Sequence, residues 1–377
     1  QSRLYKNDGK GNFTIDTKAI PNSGMNTSVV IANDIDGDGD IDLFAGSKSV
    51  PQLYGVSPSS FIYLNDGTGR FTDIAKTKNP DIATIGMVSA AVFADVTGDA
   101  RKELIITGQW MPTRIFTFSK DHFEEVKSNL NDRSGWWQAI AAADLNGDGK
   151  QDLVLGNIGQ NFYLHPSATA PAKLFLKDFD NNGELEKIVT RTINGKDATI
   201  LMKRDITDQL PYLKKENLKH EDYAKKSMQD LFTTDQLKNA TVKLFNDDAS
   251  CIALNKGNGQ FDIQPLPANV QFSSVNAILC TDVNSDGIPD LIMGGNDFCF
   301  QPQFGRLDAS FSHVLINKGK AQFSYMPNAV SGIELRGQVR DIQPVKNKRG
   351  NYLLILQNDE MPVLYGFIKR PFTVAGK

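Results

Sequence analysis

The sequence is poor in cysteine, with three in 377 residues. Cys251, Cys280 and Cys299 allow at most one internal disulfide, so cross-links cannot be the main source of stability. Cys280 directly precedes an acidic loop and follows an apolar run. We therefore expect it to be a free thiol on a buried strand, and we expect stability to come from the core and from bound cations.

Recognisable catalytic motifs are also missing. The four histidines are isolated in the sequence, and no HExxH, GxSxG or GxxxxGK[ST] pattern occurs. The Gly-x-Gly pairs at 9/11, 67/69 and 257/259 fit hairpin turns better than a dinucleotide fingerprint. We expect a protein that is not an enzyme; the alternative is a polysaccharide-degrading enzyme whose acid and base come from distant carboxylates.

Long runs of apolar or basic residues are absent as well. No apolar stretch approaches the roughly 18 residues needed to span a bilayer. The net charge of −3 and the pI near 5.9 do not favour a nucleic-acid partner. No signal peptide opens the chain, so we expect Gln1 to be a mature terminus or an internal boundary of a longer protein.

What the sequence does contain is a repeated acidic loop. Oxygen-bearing side chains recur at positions 1, 3, 5 and 9 of a tight Asp/Gly turn, the pattern that suits a hard divalent cation, above all Ca²⁺. Position 7 would contribute its backbone carbonyl. The four full copies predict four calcium sites with these candidate ligands: Asp34, Asp36, Asp38, Asp40 and Asp42; Asp144, Asn146, Asp148, Lys150 and Asp152; Asp178, Asp180, Asn182, Glu184 and Glu186; Asp282, Asn284, Asp286, Ile288 and Asp290.

A fifth copy, Asp95 to Glu103, departs from the pattern. Thr97 stands at position 3, Ala100 replaces a glycine, and Arg101 occupies the carbonyl position. We expect this loop to hold no metal.

The residues around each loop indicate strands. An EF-hand needs flanking helices and a glutamate at position 12. Here runs of two to five apolar residues come before and after the acids, as in Val29–Ala32 and Leu153–Leu155. Short apolar runs on both sides of a turn are typical of buried strands.

A second repeated element lies between the loops. Leu4 to Phe13 matches Ile62 to Phe71, and weaker copies end at Phe261 and Phe323. Asn-Asp-Gly followed by another glycine supplies the positive-φ positions of a tight hairpin. Loop and hairpin together give a four-stranded unit, and such units in series predict an all-β fold, a β-propeller.

The blade count is open on the sequence alone. Loops begin at 34, 95, 144, 178 and 282, a metal-free copy runs from Asp341 to Leu356, and residues 4–15 supply half a blade. This count favours a single seven-bladed domain over residues 1–377, with calcium loops between inner strands. Six blades is the alternative.

The alternation of DxDGDGxxDL loops with LxNDGxGxF hairpins resembles the FG-GAP (VCBS) repeat of integrin-α-type propellers. More narrowly, the segments around Gly108–Pro112, Gly135–Trp137 and Gly305–Ser310 resemble the C-terminal propeller of bacterial surface proteins related to cartilage acidic protein. The resemblance implies a calcium-stabilised binding propeller in an extracellular or surface-exposed location.

One segment breaks the repeat. Residues 203–240 are rich in charge, and Tyr223, Ala224, Met228, Leu231 and Phe232 follow helical spacing. We expect a helical insertion, either packed on the propeller flank or acting as a lid.

The loops on the face opposite the calcium loops are the candidate ligand site. Flat indole rings with amides and a guanidinium suit a glycan or a peptide; the alternative is that the rings pack between blades. The residues concerned are Trp110, Trp136, Trp137, Asn157, Asn161, Asn296, Asp297 and Arg306. The sequence thus predicts a non-catalytic adhesion propeller that binds a surface glycan or protein, or alternatively a scaffold subunit of a cell-surface assembly.

Overall fold

The computed structural model describes residues 2–21, 24–348 and 350–366, which form a set of antiparallel sheets with a few short helices. Gln1, about which the sequence predicts a boundary, lies outside the described residues. The chain is thus an all-β protein, as expected.

The chain begins with a separate two-stranded hairpin of β1 (Leu4–Asn7) and β2 (Phe13–Asp16). Sheet 1 follows with the order β3-β4-β5-β6, and in sheet 2 the strand β8 pairs with β7, β9 and β11. The strands of these two sheets are β3 (Asn26–Asn33), β4 (Asp42–Ser49), β5 (Phe61–Asn65), β6 (Phe71–Asp73), β7 (Met87–Ala94), β8 (Glu103–Pro112), β9 (Arg114–Ser119), β10 (His122–Val126) and β11 (Ser134–Trp136).

The third sheet of the series is interrupted. It starts with β12 (Ala139–Ala143) and β13 (Asp152–Gly156), and its third strand comes only after residue 250. The intervening chain forms a four-stranded sheet of its own, here called the nested sheet, in the order β16-β15-β14-β17. Its strands are β14 (Ala172–Lys177), β15 (Glu186–Ile193), β16 (Lys196–Thr199) and β17 (Thr241–Phe245).

Sheet 3 is completed after the nested sheet, and two more sheets follow in series. The orders are β12-β13-β18-β19, β20-β21-β22-β23 for sheet 4 and β24-β25-β26 for sheet 5. The remaining strands are β18 (Cys251–Gly257), β19 (Gln260–Pro265), β20 (Val275–Thr281), β21 (Asp290–Gly295), β22 (His313–Asn317), β23 (Phe323–Met326), β24 (Val339–Asn347), β25 (Gly350–Gln357) and β26 (Val363–Gly366).

The nested sheet changes two expectations. The acidic loop at 178 joins β14 to β15 of the nested sheet, which is inserted between β13 and β18 of sheet 3, and does not start a further unit of the series. The departure from the repeat also spans residues 157–250, so it is wider than the predicted 203–240. The expectation that the loop at 178 belongs to the series is therefore wrong, because one four-stranded sheet is inserted within another.

Helices are short throughout the described part of the chain. Five of the eight lie within the segment expected to be helical, where Tyr223, Met228 and Leu231 are buried against Phe175 and Ile188 of the nested sheet. The helices are α1 (Ala75–Lys78), α2 (Pro80–Ala83), α3 (Lys203–Gln209), α4 (Leu213–Glu216), α5 (His220–Ala224), α6 (Met228–Leu231), α7 (Thr234–Leu237) and α8 (Asn328–Ser331).

The core consists of layers between consecutive sheets. In β8, Leu104 and Ile106 pack toward sheet 1, while Ile105 between them packs toward sheet 3. Side chains alternate across a strand, so a strand buried on both faces must be apolar at every position. This explains the unbroken apolar runs after the acidic loops.

The first strands of the five sheets lie next to one another in chain order. Ser28 Oγ on β3 donates to the carbonyl of Val88 on β7 at 2.6 Å. Asn276 Nδ2 on β20 donates to the carbonyl of Val339 on β24 at 3.3 Å. The sheets therefore stand side by side, each packing its face against the next.

The two ends of this series are less covered. Val30 on β3 is 57% exposed and Leu364 on β26 is 55% exposed. The hairpin of β1 and β2 forms a separate sheet among the described strands, and its Phe13 is 62% exposed.

Candidate metal loops and the opposite face

In all five acidic loops the first carboxylate closes the turn. Asp34 accepts the backbone N–H groups of Gly37 and Gly39 at 2.8 and 3.1 Å. Gly39 has φ of +94°, a conformation that glycine adopts without strain. The same two acceptor contacts recur at Asp95, Asp144 and Asp282. Asp178 accepts the N–H groups of Asn182 and Gly183 instead.

The acid at position nine is buried beneath the loop. Asp42 is 0% exposed; its Oδ2 accepts the N–H of Ile35 at 2.9 Å and its Oδ1 that of Asn65 at 2.8 Å. Burial raises the pKa of Asp42, and its two backbone donors only partly offset this. A cation nearby would favour the charged form. Burial raises the pKa in the same way at Asp152, Glu186 and Asp290.

The asparagine of the LxN hairpin links neighbouring sheets. Asn317 Nδ2 donates to the carbonyl of Leu145 at 2.8 Å and to that of Pro289 at 3.1 Å. Leu145 belongs to the acidic loop of sheet 3, and Pro289 to the loop of sheet 4. Asn255 makes the equivalent contacts to Val96 and Gln151. From the sequence these asparagines are turn residues only, although their recurrence before each hairpin is a signal for this second role.

Two of the four full loops gather three carboxylates each. Ligand oxygens of Asp34, Asp36 and Asp42 lie within 4.8 Å of one another, and so do those of Asp178, Asp180 and Glu186 in the nested sheet. Clustered carboxylates repel one another unless a cation lies between them. The donor sets at these two loops consist of oxygen atoms and therefore fit Ca²⁺ or Mg²⁺.

The other predicted ligands are placed less tightly. In the loops of sheets 3 and 4, position 3 is an asparagine, and its amide donates to the position-5 carboxylate. The distances are 3.2 Å from Asn146 to Asp148 and 2.8 Å from Asn284 to Asp286. Lys150 and Ile288 donate their backbone N–H to these same aspartates. Asp38, Asn182 and Glu184 are exposed at the rims of their loops, and Asp40 is half-buried.

The fifth loop keeps the backbone geometry and places a positively charged side chain beside its position-5 acid. Arg101 forms an ion pair with Asp99 at 2.7 Å, and this contact lowers the pKa of Asp99. Ala100 adopts φ of +68°, where the other loops have glycine. The guanidinium neutralises the position-5 acid, and the absence of metal from this loop stays a prediction.

On the opposite face the indole rings are largely covered. Trp110 is 4% exposed and lies 5.4 Å from Trp136 between ring centroids. Phe245 of the nested sheet packs edge-on against both rings, at 5.9 and 6.0 Å. Trp137 is 1% exposed and belongs to the layer between sheets 2 and 3. The expectation that Trp110 and Trp137 are exposed is therefore wrong, because the nested sheet covers one ring and the core holds the other.

Two of the predicted asparagines have structural contacts. Asn157 is fully buried and donates to the carbonyl of Asp247 at 2.6 Å. This hydrogen bond links the segment that enters the nested sheet, after β13, to the segment that leaves it, after β17. Asn296 is 1% exposed and donates to the carbonyl of Ser310 at 2.8 Å. Such contacts satisfy buried polar groups and leave little of either side chain for a ligand.

The remaining predicted residues are accessible. Asn161 is exposed and donates to the carbonyl of Phe272 at 3.2 Å. Arg306 is exposed and lies over the ring of Phe298 at 4.0 Å from its centroid, while Asp297 is half-buried. Of the eight predicted ligand-binding residues, these three and the half-buried Trp136 are accessible to a ligand.

A family model described as FG-GAP-like repeat matches residues 1–45 and 95–155. The chain therefore carries FG-GAP-like repeats, in agreement with the alternation of acidic loops and hairpins. No curated protein sequence matches the chain.

Solved structures with detectable similarity include the biofilm matrix protein Bap1 of V. cholerae. It has 10% identity and a TM-score of 0.29, and the match covers 92% of this chain and 77% of that one. Another is BBS1N in complex with ARL6DN, with 11% identity, a TM-score of 0.26 and coverage of 93% and 95%. At these TM-scores neither structure bears on the function of this chain. Separately, none of the helices in the described residues is long and apolar enough to cross a membrane.

Proposed function

We propose that the five sheets in series are blades of a β-propeller and that the hairpin of β1 and β2 is half of another blade. The support is the side-by-side order of their first strands and the apolar layer between each pair of consecutive sheets. The nested sheet is an addition to the third blade. Six blades, the alternative count, then fits these residues better than seven.

We further propose that the acidic loops bind Ca²⁺. The observation that carries this is the pair of three-carboxylate clusters, Asp34 with Asp36 and Asp42, and Asp178 with Asp180 and Glu186. The loops at 144 and 282 share the backbone geometry and have fewer carboxylates, so they are weaker members of the set. Bound calcium would hold each turn and offset the burial of the position-nine acid.

On this basis the protein is a non-catalytic, calcium-stabilised binding or adhesion module that works outside the cell, where millimolar calcium fills such sites. The partner is a glycan or a protein of the cell surface. The FG-GAP-like repeats and the buried, structural use of the regular carboxylates support a binding role rather than catalysis.

A retention experiment tests this function. The purified chain, with calcium present, is passed over immobilised surface polysaccharide and over envelope proteins from the native source. We expect retention on one of them, and release when a chelator is added. A chain that is retained by neither, or that produces new reducing ends or unsaturated products from polysaccharide, would contradict the proposal.

A further inference from the structure

The first strand of each sheet in the series opens with a polar residue at an equivalent position. In sheets 1, 2, 4 and 5 this residue is the extra one of a β-bulge, and in sheet 3 it directly precedes β12. Because the first strands stand side by side, these five residues lie near one end of the propeller axis. They are Ser28, Ser89, Gln138, Asn276 and Arg340.

Lys48 joins this set from the end of β4. Its Nζ donates to Oε1 of Gln138 at 3.3 Å, so the side chain extends from sheet 1 past sheet 2 to sheet 3. Gln338 Oε1 accepts from the N–H of Phe298 at 3.1 Å and from Arg340 Nη2 at 3.4 Å, so Arg340 of sheet 5 lies near the connection that follows β21 and contains Asp297. The charges of Asp297 and Arg340 act on the pKa of Lys48. We call Lys48, Gln138, Asp297 and Arg340 the axial cluster.

The charges of the axial cluster are not balanced. Burial lowers the pKa of Lys48, and among the described residues no carboxylate lies within ion-pair distance of its ammonium. Arg340 adds a second positive charge, and within the described ranges its guanidinium donates to the amide oxygen of Gln338 alone, at 3.4 Å. Two cations stand against the single carboxylate of Asp297. A partly buried cation without a partner is costly, so an anion is favoured here.

Unpaired polar atoms lie at the same level. Ser89 Oγ and Asn276 Oδ1 are buried and have no hydrogen-bond partner among the described residues. Asn276 Oδ1 can only accept a hydrogen bond, and the carboxylate of Asp297, which accepts the N–H of Cys299 at 3.0 Å, has lone pairs for further donors. A ligand for this place must bring both a negative charge and hydroxyl groups.

We propose that the axial cluster is a binding site for an acidic sugar, with Lys48 and Arg340 holding the carboxylate of a uronic acid. Asp297, Gln138 and Asn276 accept hydrogen bonds from its hydroxyls. The carboxylate of a peptide side chain fits less well, because it brings no hydroxyl donors for Asp297 and Gln138. This site rests on the proposed binding function and specifies the class of ligand.

The test is calorimetric titration of the whole calcium-loaded chain with sodium D-glucuronate, D-glucose and sodium L-glutamate in parallel. We expect glucuronate to bind at least about tenfold more tightly than the other two. The variants Lys48→Met and Arg340→Gln should each weaken glucuronate binding by about tenfold or more, since each removes a charge partner. Lys215→Met, at an exposed lysine of α4, is the matched control and should bind as the wild type does.

The outcomes separate this site from the general function. Absence of glucuronate binding, or unchanged affinity in both variants, overturns the axial site even if the chain is retained on surface material. Equal binding of glutamate overturns the choice of a sugar. Arg340 is exposed, so Arg340→Gln keeps the test valid if Lys48→Met fails to fold, as judged by circular dichroism.

Discussion

At the scale of single residues, the three cysteines differ in their access to solvent. Burial raises the pKa of Cys251 and of Cys280 to about 12, whereas Cys299 is exposed. The thiolate is the reactive form, so a thiol reagent near neutral pH should label one cysteine per folded chain and three after denaturation. Mass spectrometry should place the first label on Cys299. Labelling of Cys251 at a similar rate in the folded chain would show that its strand is not buried.

His313 gives a pH dependence of stability. Burial lowers its pKa from 6.5 to about 4, and its Nε2 lies 3.2 Å from Ser310 Oγ. The unfolded chain therefore takes up this proton first as the pH falls. The stability contribution is complete above pH 6.5 and is lost on acidification toward pH 4, by about 2 kcal/mol at pH 5.

Urea unfolding at pH 7 and pH 5 checks this for the wild type and His313→Gln. The variant should lose about 2 kcal/mol less of its free energy of unfolding between the two pH values. His220→Gln, at an exposed histidine, should keep the wild-type difference. If His313→Gln and the wild type respond equally to pH, the imidazole is not buried in its neutral form.

At the scale of elements, the nested sheet is attached to sheet 2 through Phe245 at the end of β17. Its ring is 0% exposed and packs on Trp110 and Trp136. Phe245→Ala should lower the free energy of unfolding by about 3–5 kcal/mol. Leu244→Ala, one residue away and 43% exposed, should cost less than about 1 kcal/mol. Similar losses for both, measured by urea unfolding, would contradict this packing.

Much of the strand pattern could be predicted, because strands buried on both faces need unbroken apolar runs and tight hairpins need glycine. The nesting could not be deduced from period alone. One signal was present: the loops at 144 and 178 follow each other with no hairpin between them, and the hairpin at 254 completes the earlier loop. The burial of Trp110 could not be predicted for the same reason, since Phe245, which covers it, belongs to the nested sheet and lies far away in sequence.

The axial cluster was also beyond the reach of sequence analysis. Lys48 has no motif around it, and its relation to Gln138 and Arg340 exists only when three sheets are brought together. By contrast, the acidic loops are local, so their turn geometry followed from the sequence. The contacts by which Asn255 and Asn317 link these loops to neighbouring sheets could be recognised only from the folded structure.

At the scale of the whole molecule, calcium should determine stability. A site adds about 1.4 kcal/mol when calcium is tenfold above its dissociation constant, so several sites together approach the net stability of a domain. The four apolar layers between the five sheets are connected in series. Loss of calcium from the loops should therefore lower the free energy of unfolding of all five sheets together.

The most direct test is the melting temperature in about 1 mM calcium, compared with the same sample after chelation. We expect chelation to lower the Tm by at least about 5 °C, and added calcium to restore it, because the clustered carboxylates then repel one another without a cation. Asp34→Asn combined with Asp178→Asn should reduce this difference. An unchanged Tm after chelation would contradict the calcium-stabilised propeller.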